Sequence, residues 1–452
     1  MHSDNLKNSK SWKLIIRVTV LSILAAWLPS QARSDETCNS PFMTNLIKGQ
    51  EDYVYVWTLG VESIGDGSDK LVTIDVNPSS KAFGKVINQL SFNGRGEAHH
   101  MGFTEDRRHL WLGRLDTSDI FVVDVASDPA KPKLIKTIHG AKDTGYVGPH
   151  THYALPGRML VQFLSNAKDH GGVTGMALYT NDGKLIKTYP MPTHSKFADG
   201  YGYDIGINPN KNVLLTSSFV GWNNYMMNFG QMLKDPVASK QIGNSMVLWD
   251  LKSMRPQKVF SVPGMPLELR WSLRPGDNWA VTVTALTSKI YVIKQDEGGV
   301  WRIFDVATVG DPAKIPLPVD ISISNDGKGL WVATFSDGTA HYFDISDPMH
   351  PKETFSQKIG SQLNMVSQSW DGKRVYFTSS ALSNWDKKGP EDEQFLKMYN
   401  WDGTELKEAF TIDFYKQKLG RAHHMKFGSA ALKTAFGVTD ENWKIAEISQ
   451  GR

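Results

Sequence analysis

A single cysteine, Cys38, in 452 residues excludes an internal disulfide framework, a cysteine-rich zinc site and a paired-thiol redox motif. Apolar packing must therefore hold the fold together, and Cys38 reads as a free thiol near the start of the mature chain. Long apolar runs are also missing. The one candidate, Val18–Leu28, is diluted by Thr19 and Ser22 and falls short of the roughly 18 residues that a membrane helix needs. Lys7, Lys10, Lys13 and Arg17 precede it and Ser30-x-Ala32 follows it, the order of a signal peptide cleaved after Ala32. Residues 33–452 are then expected as one periplasmic domain, with no membrane anchor after cleavage and with oligomerisation left open. A surplus of one charge is the third absence. The formal net charge of +3 lies in the first 32 residues, whose removal takes away four bases and one acid and leaves zero. No global footprint for nucleic acid remains.

What the chain has is repetition. Six segments share an order of alternating strand, polar turn, apolar strand and a third strand ending in an Asp- or Asn-rich turn. They begin near Ala98, His150, Tyr203, Leu267, Ile321 and Ser367. Their spacing of ~45–65 residues suits four-stranded propeller blades. Two pieces are left over: RAHHMKF from Arg421, and the N-terminal strands DYVYVWTLG, KLVTIDV and KVINQL. Joined, they make a seventh blade that removes the free edges of an open array. The expectation is an all-β, seven-bladed β-propeller closed by strands from both termini. Two insertions, Val220–Gln241 and Asn384–Glu393, read either as surface loops or as a lid over the channel mouth.

Histidines recur in register. Aligning turns sets His99 of EAHHMGF opposite His150 of PHTHYAL, and Ala422-His423-His424-Met425 repeats Ala98-His99-His100-Met101. His99, His150 and His423 thus start the innermost strands of three neighbouring blades and should meet at the central channel. Imidazoles without thiolates suit copper or zinc in a mononuclear site with an open position. The competing reading is histidines that tie strand ends by hydrogen bonds. His100, His152 and His424 stay open, because successive strand residues face opposite ways unless a bulge intervenes. Equivalent positions in the other blades hold Tyr203-Asp204, Glu268, Asp320 and Asn364. The carboxylates there, with Glu97, could orient an imidazole, act as a base or add a ligand; a solvated channel wall is the alternative. His109, His139, His170, His194, His341 and His350 lie elsewhere in the repeat and read as structural or exposed.

The motifs GYDIGINP at Gly202, PLELR at Pro266, DEGGVW at Asp296, FDISDP at Phe343 and DGKRVYFTSSALSNWD at Asp371 join these histidine segments in a resemblance along nearly the whole mature chain. The chain resembles the selenium-binding protein family, and its DETCNSP start is similar to the branch of bacterial methanethiol oxidases. The resemblance implies a copper enzyme that converts methanethiol, oxygen and water to formaldehyde, hydrogen sulfide and hydrogen peroxide. It implies copper ligands at His99, His100, His150 and His423, with His152 and His424 as second choices. Glu97, Asp204, Glu268 and Asp320 are the candidate acid–base residues. The vertebrate cysteine linked to selenium falls where this chain has none, which removes that route to selenium.

Three rival readings remain. A non-enzymatic periplasmic copper- or selenium-binding protein would use the same histidines. A lactonase-like propeller would want calcium and an acid-rich channel, and an interaction scaffold would leave the repeated histidines unexplained.

Overall fold

The computed structural model describes residues 39–43 and 50–430, apart from 169–172, 222–223, 225–226, 273, 275 and 387–392. The expected signal segment, Cys38 and His170 lie outside them. Alternating apolar strands of three to ten residues, broken by Asp- and Gly-rich turns, pair antiparallel into seven four-stranded sheets among the described residues. The first blade begins on its innermost strand Ala98–Phe103 and ends on Lys133–His139. The innermost strands of the next five blades are Tyr146–Leu155, Ile205–Asn208, Pro266–Trp271, Pro318–Ile323 and Val366–Gln368. Outermost strands such as Lys133–His139 are largely exposed, whereas the innermost strands are buried along nearly their whole length. The cores therefore lie between blades, where facing sheets cover one another.

The seventh blade is split as the repeats require. Arg421–Gly428 pairs with Tyr53–Leu59, which continues into Asp69–Asp75 and Lys85–Phe92. Two buried ion pairs close its flanks. Arg374 of the sixth blade meets Glu51 at 2.7 and 3.0 Å, and the Tyr376 hydroxyl donates to the same carboxylate. Arg114 of the first blade meets Asp69 at 2.8 Å, while the amides of Gly60 and Gly96 donate to Asp69.

One irregularity recurs where the innermost strands begin. Ala98 pairs with Arg114 and Met101 with Leu112, so His99 and His100 together oppose one residue. The same bulge falls between Pro149 and His152, between Pro266 and Leu269, between Pro318 and Asp320, and at His423. A bulge turns adjacent side chains to one side, which a regular strand forbids. Glu97, Met265 and Leu317 enter their bulges at φ 58°, 62° and 58°. That region costs a non-glycine residue of order 1–3 kcal/mol, strain that concentrates at functional sites.

The insertion at 220–241 resolves in favour of a lid. Phe219, Val220, Met232 and Ala238 are buried in one apolar cluster with Leu382, Trp385, Tyr203, Leu267 and Val319. Of the second insertion, residues 387–392 lie outside the described residues.

Candidate metal centre

The bulges define two rings of positions at the channel mouth. Register places His99, His150, Leu267, Val319 and His423 on the first ring, with Tyr203 just ahead of the third blade's strand Ile205–Asn208, and His100, Thr151, Glu268, Asp320 and His424 beside them on the second. One half of the first ring is imidazole and the other largely apolar, with Leu267 and Val319 joined to the lid cluster.

The imidazoles converge. His99 stacks on His423 with ring centroids 4.0 Å apart, His100 lies 4.0 Å from His150, and His99 lies 4.8 Å from both His100 and His150. Donor atoms of His99, His100 and His423 fall within 4.8 Å of one another, as do those of His100, His150 and Glu268. All four rings are buried. Burial, reinforced by the neighbouring imidazoles, holds His99, His100 and His150 well below the usual histidine range. Burial pushes His423 down to about 4, against the opposing pull of the Ser380 carbonyl. Neutral imidazole is the form that binds metal.

In His423 and His150 the second nitrogen is held by a partner outside the cluster. His423 Nδ1 donates to the Ser380 carbonyl at 2.7 Å, leaving Nε2 buried and without a hydrogen bond. His150 Nδ1 lies 3.1 Å from the Thr151 hydroxyl, which in turn donates to Asp204 and to the Tyr203 carbonyl, and its Nε2 is likewise unengaged. Partners of this kind fix the tautomer and orientation of a ligating imidazole. His99 Nδ1 is a third buried nitrogen with no hydrogen bond. Several orphaned nitrogens aimed at one locus would be costly on their own, and a metal of imidazole preference satisfies them together.

The second choices, His424 and His152, stand in different surroundings, although His424 Nε2 and both ring nitrogens of His152 are likewise buried without a hydrogen bond. The backbone N–H of Met101 donates to His424 Nδ1 at 3.3 Å. The proton of a neutral ring then sits on Nε2, which has no lone pair to offer. His152 packs between blades, where a Cβ on Gly113 would stand 2.7 Å from its Cε1 and one on Gly102 would meet its carbonyl oxygen.

The four carboxylates part company. Glu97 gives one oxygen to the Ser383 amide and the other to the Ser383 hydroxyl and Arg95; burial still lifts its pKa to about 7. Asp204 accepts from the Leu269 amide at 2.9 Å, and Asp320 from the Val366 amide at 2.8 Å. They join neighbouring blades, as His424 does through Met101. Glu268 alone of the four turns an oxygen toward the imidazoles. Its Oε1 accepts no hydrogen bond and lies 3.7 Å from His100 Nε2, and burial together with the Asp204 charge raises its pKa well above the carboxylate norm. The aromatic approach from the lid, which the sequence reading passed over, runs Trp385–Phe219–Tyr203–His150 with centroid steps of 5.5, 5.1 and 3.8 Å.

The profile of the 56 kDa selenium binding protein family matches residues 32–432. A methanethiol oxidase of Hyphomicrobium sp is 66% identical over 406 residues, covering 90% of this chain and 93% of its own. A methanethiol oxidase of Ruegeria pomeroyi is 56% identical over 421 residues, covering 90% and 96%. Among solved structures, a hypothetical selenium-binding protein of Sulfolobus tokodaii superposes with a TM-score of 0.73 at 24% identity, over 86% of this chain and 97% of its own.

Proposed function

Because the chain belongs to the 56 kDa selenium-binding protein family, we propose that it is a periplasmic, copper-dependent methanethiol oxidase. Two relatives that carry this name at 66% and 56% identity support the activity. The observation that carries the metal is the convergence of buried, neutral imidazoles with unengaged nitrogens. His99, His100, His150 and His423 would hold the ion. Copper held there would supply a soft Lewis acid that favours thiolate over thiol and a path for electrons from sulfur to oxygen.

The remaining work falls to the chain. Leu267, Val319 and Tyr203 offer the methyl group an apolar wall, and the lid residues Phe219 and Trp385 keep bulk water out. Glu268 Oε1 accepts a proton released from the methyl carbon or directs water to it. Methanethiol, oxygen and water then balance as formaldehyde, hydrogen sulfide and hydrogen peroxide. A basic start, an apolar run and Ser30-x-Ala32 support export, so the mature protein should begin at or near Arg33 in a periplasmic fraction.

The test is metal analysis and turnover on purified protein. Bound copper, with methanethiol loss matched by oxygen uptake and formaldehyde, is the expected result. Copper without turnover would return the reading to a metal-binding protein.

A further inference from the structure

Arg270 follows Glu268 by two residues on the innermost strand of the fourth blade and is buried. Its Nη1 lies 3.0 Å from Glu268 Oε2 and 3.0 Å from Asp204 Oδ2, and donates to the Leu269 carbonyl at 2.7 Å. Its Nη2 lies 3.1 Å from Asp320 Oδ1. Both aspartates are fixed from behind. The amides of Ile205 and Leu269 and the Thr151 hydroxyl donate to Asp204, and the Val366 amide donates to Asp320. One guanidinium is thus pinned from the third and fifth blades, and it presents Nη1 to Glu268. Of the two Glu268 oxygens, the pinned one faces Arg270 and the other faces His100 at 3.7 Å. An apolar side chain would fill this volume without desolvating four charges, so packing alone does not account for the arrangement.

We propose that Arg270 is a positioning residue for the reaction, holding Glu268 so that Oε1 points into the imidazole centre. The proposal deepens the copper-oxidase reading and rests on it. A lysine could keep the charge, yet its single ammonium lacks the planar fork that serves three carboxylates in fixed directions.

A double-mutant cycle tests the coupling. Copper-loaded wild type, Glu268→Gln, Arg270→Lys and the double variant are compared for kcat, KM, copper content and the Cu(II) electron paramagnetic resonance spectrum. Glu268→Gln should lower kcat by about 100-fold or more with KM little changed. Arg270→Lys should lower kcat by about 10-fold or more in the wild-type background and by less than about twofold in the Glu268→Gln background. It should also shift the copper spectrum only where Glu268 is present. Equal losses in both backgrounds, or full kcat in Glu268→Gln, would overturn the proposal. Should Arg270→Lys fail to fold, Asp320→Asn loosens the same guanidinium and must show the same dependence on Glu268. If wild type binds copper but oxidises no methanethiol, the functional reading falls. The spectra still judge Arg270, since an unshifted spectrum in Arg270→Lys overturns its role.

Discussion

Replacing Thr151 with valine removes one hydroxyl from behind His150 and keeps the shape of the side chain. That hydroxyl lies 3.1 Å from His150 Nδ1 and donates to Asp204 and the Tyr203 carbonyl. Without it the ring loses the contact that sets its tautomer and its rotation. Removing an orienting partner of this kind weakens metal binding by about 10–100-fold, equivalent to about 1.4–2.8 kcal/mol. Folding suffers separately: the Nδ1 proton is left buried without an acceptor, at a cost of about 1–3 kcal/mol, while Asp204 keeps the Ile205 amide. Thr174→Val is the matched control, because the Thr174 hydroxyl is equally buried and donates to the Phe163 and Ser165 carbonyls within the second blade. Competition against a chromogenic copper chelator, together with thermal melts, separates the two effects. Both variants should melt a few degrees lower, and only Thr151→Val should lose affinity. Unchanged affinity in Thr151→Val, or an equal loss in Thr174→Val, would refute the reasoning.

Other outcomes are equally direct. His423→Ala should lose most bound copper by elemental analysis, whereas His424→Ala should retain it and pay instead in stability through the lost Met101 contact. Glu51→Ala leaves Arg374 at the closing seam with Asp371 as its remaining carboxylate and takes the acceptor from the Tyr376 hydroxyl, and should cost about 1–3 kcal/mol in urea unfolding; a change within experimental error would show that the seam does not depend on this pair. Gly102→Ala forces a Cβ to within 1.9 Å of the His152 carbonyl. It should destabilise by about 3 kcal/mol or more and depress copper binding, and a variant with wild-type melting and copper content would contradict the inter-blade packing. Leu267→Ala enlarges the apolar half of the ring, so kcat/KM for ethanethiol relative to methanethiol should rise; an unchanged ratio would remove Leu267 from the substrate wall.

Blade number and ring closure were legible in the chain alone. Strand alternation, turn residues and a repeat length are local properties, and the match of Ala422-His423-His424-Met425 to Ala98-His99-His100-Met101 carried the register across the termini. That register also singled out His99, His150 and His423, since equivalent positions in neighbouring blades must face the same channel. The directions of adjacent side chains were beyond its reach. His100 turns inward with His99 because two residues oppose one across the pairing to His109–Arg114, and a bulge belongs to two strands rather than to one. His424 and His152 are set off from the proposed ligands by what another blade brings to them, the Met101 amide in one case and Gly102 with Gly113 in the other. Glu268 stands apart from Asp204 and Asp320 for the same reason: all three are acids at equivalent strand starts, but backbone amides and Arg270 engage both oxygens of each aspartate and only one oxygen of Glu268. Composition and periodicity decide which residues reach the channel; contacts between sheets far apart in the chain decide which lone pairs remain free once they are there.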